Sequence, residues 1–503
     1  MIESDTLLVV NIYISLLNKC AIGRFLTRSQ HILTLRSLVW LVFIGFVCVP
    51  LAFSQVAVPP ETIQNADFAF GMDTEVGILR FENSNGKNER YISSVLAPTL
   101  EYGDWRGGLR LRYRWNGKGL RDEDYDSTSD YLSILRFVQY REKDDQGYYG
   151  RLGDVDDADI GYGQFVNRFR NTLSLNEPQT GITFDYLSES FTFEGMWSNL
   201  AVPEVYAFRA STRPYREDTL ASRKGLAIGI TLAGDLSDDA RWENSYTNGL
   251  PFFIGEAPKG ADSLGIGLGE QHAPLTMLAF DAGLAIPGTE LDSFEGYVEL
   301  ANIFGFGSGL GLGLEAEHQF PSMRVKSWFE QRLLGREYVP GYFNSRYEFD
   351  RIGTTKVTLA NGIEYEAVNS KRNQLKSRDR VELGSFLGME FRFKSKYRLK
   401  WSLENSWSRK GSGWFEIDFL VADPDLPFQF RYIFDRVNMG SFNDILYGPK
   451  ENGLLRLEVA YMVKNHLLIG FQYRESFESV ESLGRRIGQK KRISIQPSII
   501  IRM

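Results

Sequence analysis

The chain has 503 residues, a formal charge of −7 and 14% aromatic residues, with 48 Gly against 17 Pro. The mildly acidic balance and the lack of a basic tail argue against general nucleic-acid binding. The two cysteines, Cys20 and Cys48, both fall in an N-terminal apolar region. The remainder is therefore without a Cys nucleophile, Cys-ligated zinc or an iron–sulfur cluster.

That N-terminal region reads as a secretory signal over residues 1–54. Arg24, Arg28 and Arg36 precede the apolar run from Ser37 to Ser54, and Ala52 and Ser54 supply small residues just before a cut at Gln55. The apolar core, Leu38 to Phe53, is short for a bilayer-spanning helix, which needs about 20 residues. A short membrane anchor is the alternative. Val47 stands where a lipoprotein signal needs a small residue, so Cys48 is not expected to carry lipid. Residues 55–65 form a loose lead, and 66–503 form one domain.

Period-two alternation begins early in that domain. Leu109, Leu111, Tyr113 and Trp115 share one face, and Arg110, Arg112 and Arg114 share the other. The next notable stretch, Asp154 to Arg170, is polar, contains Gly161 and Gly163, and is too irregular for a strand. Its carboxylates Asp154, Asp156, Asp157 and Asp159 do not fit a calcium loop: the glycine expected at the sixth position is Asp159, and Phe165 replaces the closing Glu. A solvated loop is one reading. The other is a loop folded into a lumen.

The lumen reading draws on three later wall segments. Leu226–Ala233, Leu264–Gly269 and Leu310–Leu314 carry large apolar residues on one face. The other face carries Ala227, Gly229 and Ala233, then Gly265 and Gly267, then Gly309, Gly311 and Gly313. Inward glycine lets another backbone approach closely, or it simply aids curvature.

Alternation resumes beyond residue 390. Phe391 and Phe393 alternate with Glu390, Arg392 and Lys394, and Tyr397, Leu399, Trp401 and Leu403 with Arg398, Lys400, Ser402 and Glu404. Leu455 to Val463 and Leu467 to Tyr473 follow the same rule on either side of a turn near Asn465. The final segment sets Ile493, Ile495, Ile499 and Ile501 against Ser494, Gln496 and Ser498. Strands of about ten residues, aromatic near their ends and charged on one face, suit an all-β fold: a transmembrane antiparallel up-and-down β-barrel of roughly 18–22 strands. A soluble all-β protein with the apolar face inward is the alternative.

The strand Arg492–Met503 resembles the C-terminal assembly signal of bacterial outer-membrane barrels, with Met503 in place of the usual aromatic residue. The resemblance is to porin-like barrels. The stretch from Arg151 to Phe169, followed by Gly181-Ile-Thr-Phe-Asp-Tyr186, resembles uncharacterised outer-membrane proteins of spirochaete type. These resemblances imply an outer-membrane location, with lipid bilayer, barrel-assembly machinery and small solutes as partners.

The function expected is a diffusion channel for small hydrophilic solutes, without cofactor or metal. Its constriction would be formed by Asp154, Asp156, Asp157 and Asp159 against Arg110, Arg112 and Arg114. A closed structural or adhesive barrel is the first alternative. An outer-membrane hydrolase built on His272 or His318 is the second. No HExxH, Gly-x-Ser-x-Gly, Walker or dinucleotide motif is present, so no enzyme is expected. The short lead before the first strand leaves no room for the plug of an energised transporter.

Overall fold

The computed structural model describes residues 69–502, apart from 83–87, 122–123, 144–145, 175–178, 189, 214–224, 238–241, 244–269, 272, 287–291, 359–363, 394–395, 424–425, 449–451, 465–466 and 483–484. The signal, the lead, Gly265, Gly267, His272, Lys394, Asn465, His466 and Met503 lie outside the described residues.

A 20-strand antiparallel ring makes up the wall. Its strands are β1 (Ala69–Glu82), β2 (Asn88–Tyr102), β3 (Trp105–Leu109, resumed at Leu111–Trp115), β4 (Leu135–Tyr140) and β5 (Gly147–Gly153). Next come β6 (Gly181–Leu187), β7 (Phe191–Trp197), β8 (Val205–Thr212), β9 (Gly225–Asp235) and β10 (Leu275–Ile286). Then follow β11 (Asp292–Ile303), β12 (Ser308–Gln319), β13 (Met323–Leu334), β14 (Glu382–Phe393) and β15 (Tyr397–Ser406). The last are β16 (Gly413–Val421), β17 (Phe428–Met439), β18 (Gly453–Lys464), β19 (Leu467–Ser482) and β20 (Arg485–Arg502).

Each strand pairs with its neighbours in sequence. The ring closes where β1 pairs with β20, from Gly71 opposite Arg502 to Glu75 opposite Ser498. Closure removes the unpaired edge that an open sheet would present to lipid. β10 to β13 are 12 residues each, long enough to cross a bilayer at a tilt.

Side-chain alternation settles which face meets lipid. On β9, Ile230 is 44% exposed while its neighbour Thr231 is 2% exposed. Leu300, Leu312, Phe471 and Ile495 point outward in the same way, and Ser93, Arg112, Glu330 and Glu416 point inward. A soluble barrel would reverse this pattern, so the apolar-inward alternative is overturned.

Connections sort by end. Most of those after even-numbered strands are short, with 213–224 the exception. An example is Gly103–Asp104 between β2 and β3, where Gly103 takes φ +55° as a primed turn requires. Aromatic pairs gather at this end: Trp105 with Tyr140, Tyr148 with Tyr186, and Phe393 with Tyr397. They fit a girdle at the bilayer boundary. The four longest connections, 116–134, 154–180, 236–274 and 335–381, all leave from the opposite end.

Two of these long connections turn into the barrel. Ala158–Ile160 and Val166–Phe169 pair antiparallel, and Phe343–Asn344 adds to the latter in parallel. Residues 154–170 are therefore not wholly irregular, as the sequence suggested. A partner 177 residues away in sequence, Phe343 opposite Val166, completes their hydrogen bonding, and no local pattern announces such a partner. Phe165, Val166, Phe169, Tyr342, Phe343 and Tyr347 from the two loops pack against Val205, Ala207, Ala233, Met277, Ala301 and Leu334 of the wall. The apolar core of this barrel thus lies inside the lumen, along β8–β13 at the long-loop end.

Candidate functional site

The inward loop of residues 154–171 is held on both sides. Towards β10–β13, Tyr162 donates to Glu295 and stacks on Tyr297 at 3.8 Å. Gln164 donates to Glu330 at 2.6 Å and accepts from the Tyr338 hydroxyl at 2.7 Å. The wall there has no side chain in the way. A Cβ on Gly311 would lie 2.6 Å from the Gln164 amide, and one on Gly309 would lie 2.2 Å from the Tyr338 ring. These glycines thus sit where the loops press closest.

Towards β15 and β16 the contacts are ionic. Lys400 pairs with Asp157 at 3.2 Å and with Asp159 at 3.1 Å. Arg170 donates to Glu416 at 2.9 Å, and Arg168 pairs with the same carboxylate at 3.3 Å. Arg168 holds φ +57°, a strained conformation for a side chain of its size, and its N–H is fixed by the Asp159 carboxylate at 2.6 Å. Ser345 of the second loop also donates to Glu416, at 3.1 Å, so one buried carboxylate ties both loops to the wall.

The seven residues singled out in the sequence therefore separate. Arg110 pairs with Asp154. Arg112 donates to Ser133, and Arg114 pairs with Asp124 at 2.7 Å, so both are engaged by the 116–134 loop rather than by the aspartates. Asp156 accepts from Thr172 at 2.9 Å and shares a cavity with the arginine row. Asp157 and Asp159 face Lys400 instead. The four carboxylates point to different partners, and no group of metal-ligating side chains gathers among the described residues. Burial raises the Asp156 pKa, but Arg151, Arg431 and Arg456 outweigh it and hold the group below the ordinary carboxylate value. Asp157 is held well below its ordinary value by Lys400 and Arg168, again against burial.

Between this loop and the opposite wall lies a cavity of about 270 Å³. Arg110, Arg112, Arg114 and Arg136 line one side and Arg431, Arg456 and Arg474 the other, with the carboxylates of Asp73, Glu75, Asp154, Asp156 and Glu458 among them. A second cavity shares Asp156, Thr172, Arg431, Arg456 and Arg474 with it and reaches Leu454, near the long-loop end. A third shares Gln429, Arg431, Glu458 and Gln472 and reaches Val421 and Ala422, at the short-turn end. The β17–β19 half of this lining escaped sequence reasoning. Arg456 and Arg474 looked like any lumen-facing residues until the inward loop showed which half of the lumen holds the cavities. His318 packs on Phe320 at 3.9 Å.

A closed antiparallel ring, apolar outside and charged inside, defines the class: a transmembrane β-barrel of the bacterial outer membrane. No family model and no curated protein matches the chain, so the spirochaete-type resemblance rests on the quoted residues alone. Among solved structures, the siderophore receptor PirA from Acinetobacter baumannii is 9% identical, with TM-score 0.32, covering 87% of this chain and 80% of that one. OccK9 (OpdG) from Pseudomonas aeruginosa is 8% identical, with TM-score 0.29 and coverage of 87% and 98%. Wzi, a carbohydrate-binding barrel involved in group 1 capsule assembly in Escherichia coli, is 11% identical, with TM-score 0.29 and coverage of 87% and 84%.

Proposed function

We propose that the protein is a porin-like channel through which small hydrophilic solutes diffuse along one side of the lumen. The observation that carries this reading is the run of three cavities with shared lining residues along β17–β19, the central one lined mainly by charged and polar side chains. Residues 154–171, with Asp154 and Asp156 facing the passage, form its inner bank and set its width. The remainder of the lumen near β8–β13 is filled by the two loops and serves as scaffold. Charged side chains of both signs along a wet passage favour polar solutes over apolar ones.

Planar-bilayer recording of the purified protein tests the reading: discrete conductance steps are expected, and insertion without conductance contradicts it. A closed barrel is the second reading, favoured by the apolar core inside the lumen. It requires that the cavities do not join, and it predicts a silent bilayer.

A further inference from the structure

Resting on the channel reading, we infer that the central cavity is a binding site for a small oxyanion, a carboxylate-bearing solute or phosphate. Arg456 and Arg474 are direct cross-strand partners in the β18–β19 register, both facing inward. Like charges placed opposite each other on one face of a sheet destabilise it, so the pair needs a compensating charge. Arg456 has one, in Glu458 at 2.5 Å. Arg474 donates only to the Thr172 carbonyl, and no ion pair is formed by it among the described residues. Across the cavity, Arg112 is 5% exposed, and among the described residues its guanidinium donates only to the Ser133 hydroxyl. Each therefore carries a full charge satisfied by neutral oxygen alone, at a site where burial makes unpaired charge costly.

The carboxylates of the cavity do not cancel this. Asp154 is taken by Arg110, and Asp73 lies 3.5 Å from Arg136. Glu75 accepts from Gln472 at 2.9 Å and makes no ion pair among the described residues, although it lies within Coulomb range of Arg474 and Arg456. Asp156 sits 3.9 Å from Arg151. Guanidinium outnumbers carboxylate in the lining, and its planar fork matches the two oxygens of a carboxylate or phosphate. A volume of about 270 Å³ admits an anion of a few carbons and little more.

The test uses the purified full-length barrel, with succinate and inorganic phosphate as separate probes. In a potassium chloride gradient the wild type is expected to be anion-selective, and millimolar succinate or phosphate to reduce the current. Arg474→Gln should weaken that block about tenfold and move the reversal potential towards zero, and Arg112→Gln should act in the same direction. Block by one probe alone identifies the preferred oxyanion. Cation selectivity, or block unchanged in both variants, overturns the inference. If the barrel never conducts, the channel reading fails. Calorimetry in detergent then decides the inference by itself: saturable binding weakened in Arg474→Gln supports it, and no binding of either probe by the wild type overturns it.

Discussion

At the scale of single residues, the lumen rests on ionisable groups whose partners come from distant sequence. Lys400 bridges Asp157 and Asp159, and removing it leaves Asp157 with Arg168 alone among the described residues and Asp159 with the Arg168 N–H. Lys400→Met is expected to loosen the inward loop by about 1–2 kcal/mol, less than the cost of breaking a fully buried pair because Asp157 keeps Arg168 and Asp159 is partly solvated, seen as greater open-channel noise and faster proteolysis between residues 154 and 171. Unchanged noise and protease resistance would argue that the loop is held by its apolar contacts alone. The aspartates also set the acid limit. Asp156 and Asp157 have depressed pKa values, so their stabilisation is fully present above the unfolded value of about 3.9 and is lost as pH falls below it towards the folded values. Current noise should be the same at pH 7 and pH 4.5 and rise only in more acidic solution. Lys371 shifts the other way. Its ammonium is buried over the rings of Tyr342 and Tyr347 at 5.2 Å, makes no hydrogen bond among the described residues, and is pushed down to about 8 by burial, with Asp350, Arg346, Glu404 and Arg378 in its field. Between pH 8 and 10 the unfolded chain holds a proton that the folded one lacks, so stability from this group rises with pH. Lys371→Met should raise the urea midpoint at pH 7 and flatten that rise.

At the scale of elements, alternation made the wall legible and the loops much less so. Each strand carries its own period-two record, so Leu109 to Trp115 or Leu455 to Val463 reveal their lipid face without reference to any other segment. The aspartate-rich loop was legible through its composition and through the bare wall at Gly309 and Gly311. The second inward loop, residues 335–381, was not, because Tyr338, Tyr342 and Tyr347 look like ordinary aromatic residues until Gly309, Asp235 and the first loop are brought against them. Arg112 and Arg114 share a cavity with Asp154 and Asp156, but their guanidinium groups do not pair with them, for a related reason: Asp124 and Ser133 of an adjacent loop reach them first. A glycine test probes the contact between loop and wall. Gly309→Val puts methyl groups into the Tyr338 ring, an overpacking cost of about 1–3 kcal/mol, and should shift the loops and alter unitary conductance. Neutralising Asp154, Asp156, Asp157 and Asp159 together should move selectivity further towards anions. Reversal potentials that do not change would place the segment away from the ion path.

At the scale of the whole molecule, two loops divide the lumen into a packed half and a polar half, and the account stands on solutes using only the second. Both cysteines of the chain, Cys20 and Cys48, precede the barrel, so an introduced thiol can serve as a unique reporter once they are replaced. Gln472 lines the passage, whereas Thr231 faces inward on β9 beneath the loops and is 2% exposed. The measurement is single-channel current through Gln472→Cys and Thr231→Cys barrels during addition of a charged methanethiosulfonate reagent. The account predicts stepwise loss of current in Gln472→Cys and steady current in Thr231→Cys. Equal block of both, or block of Thr231→Cys alone, would contradict it.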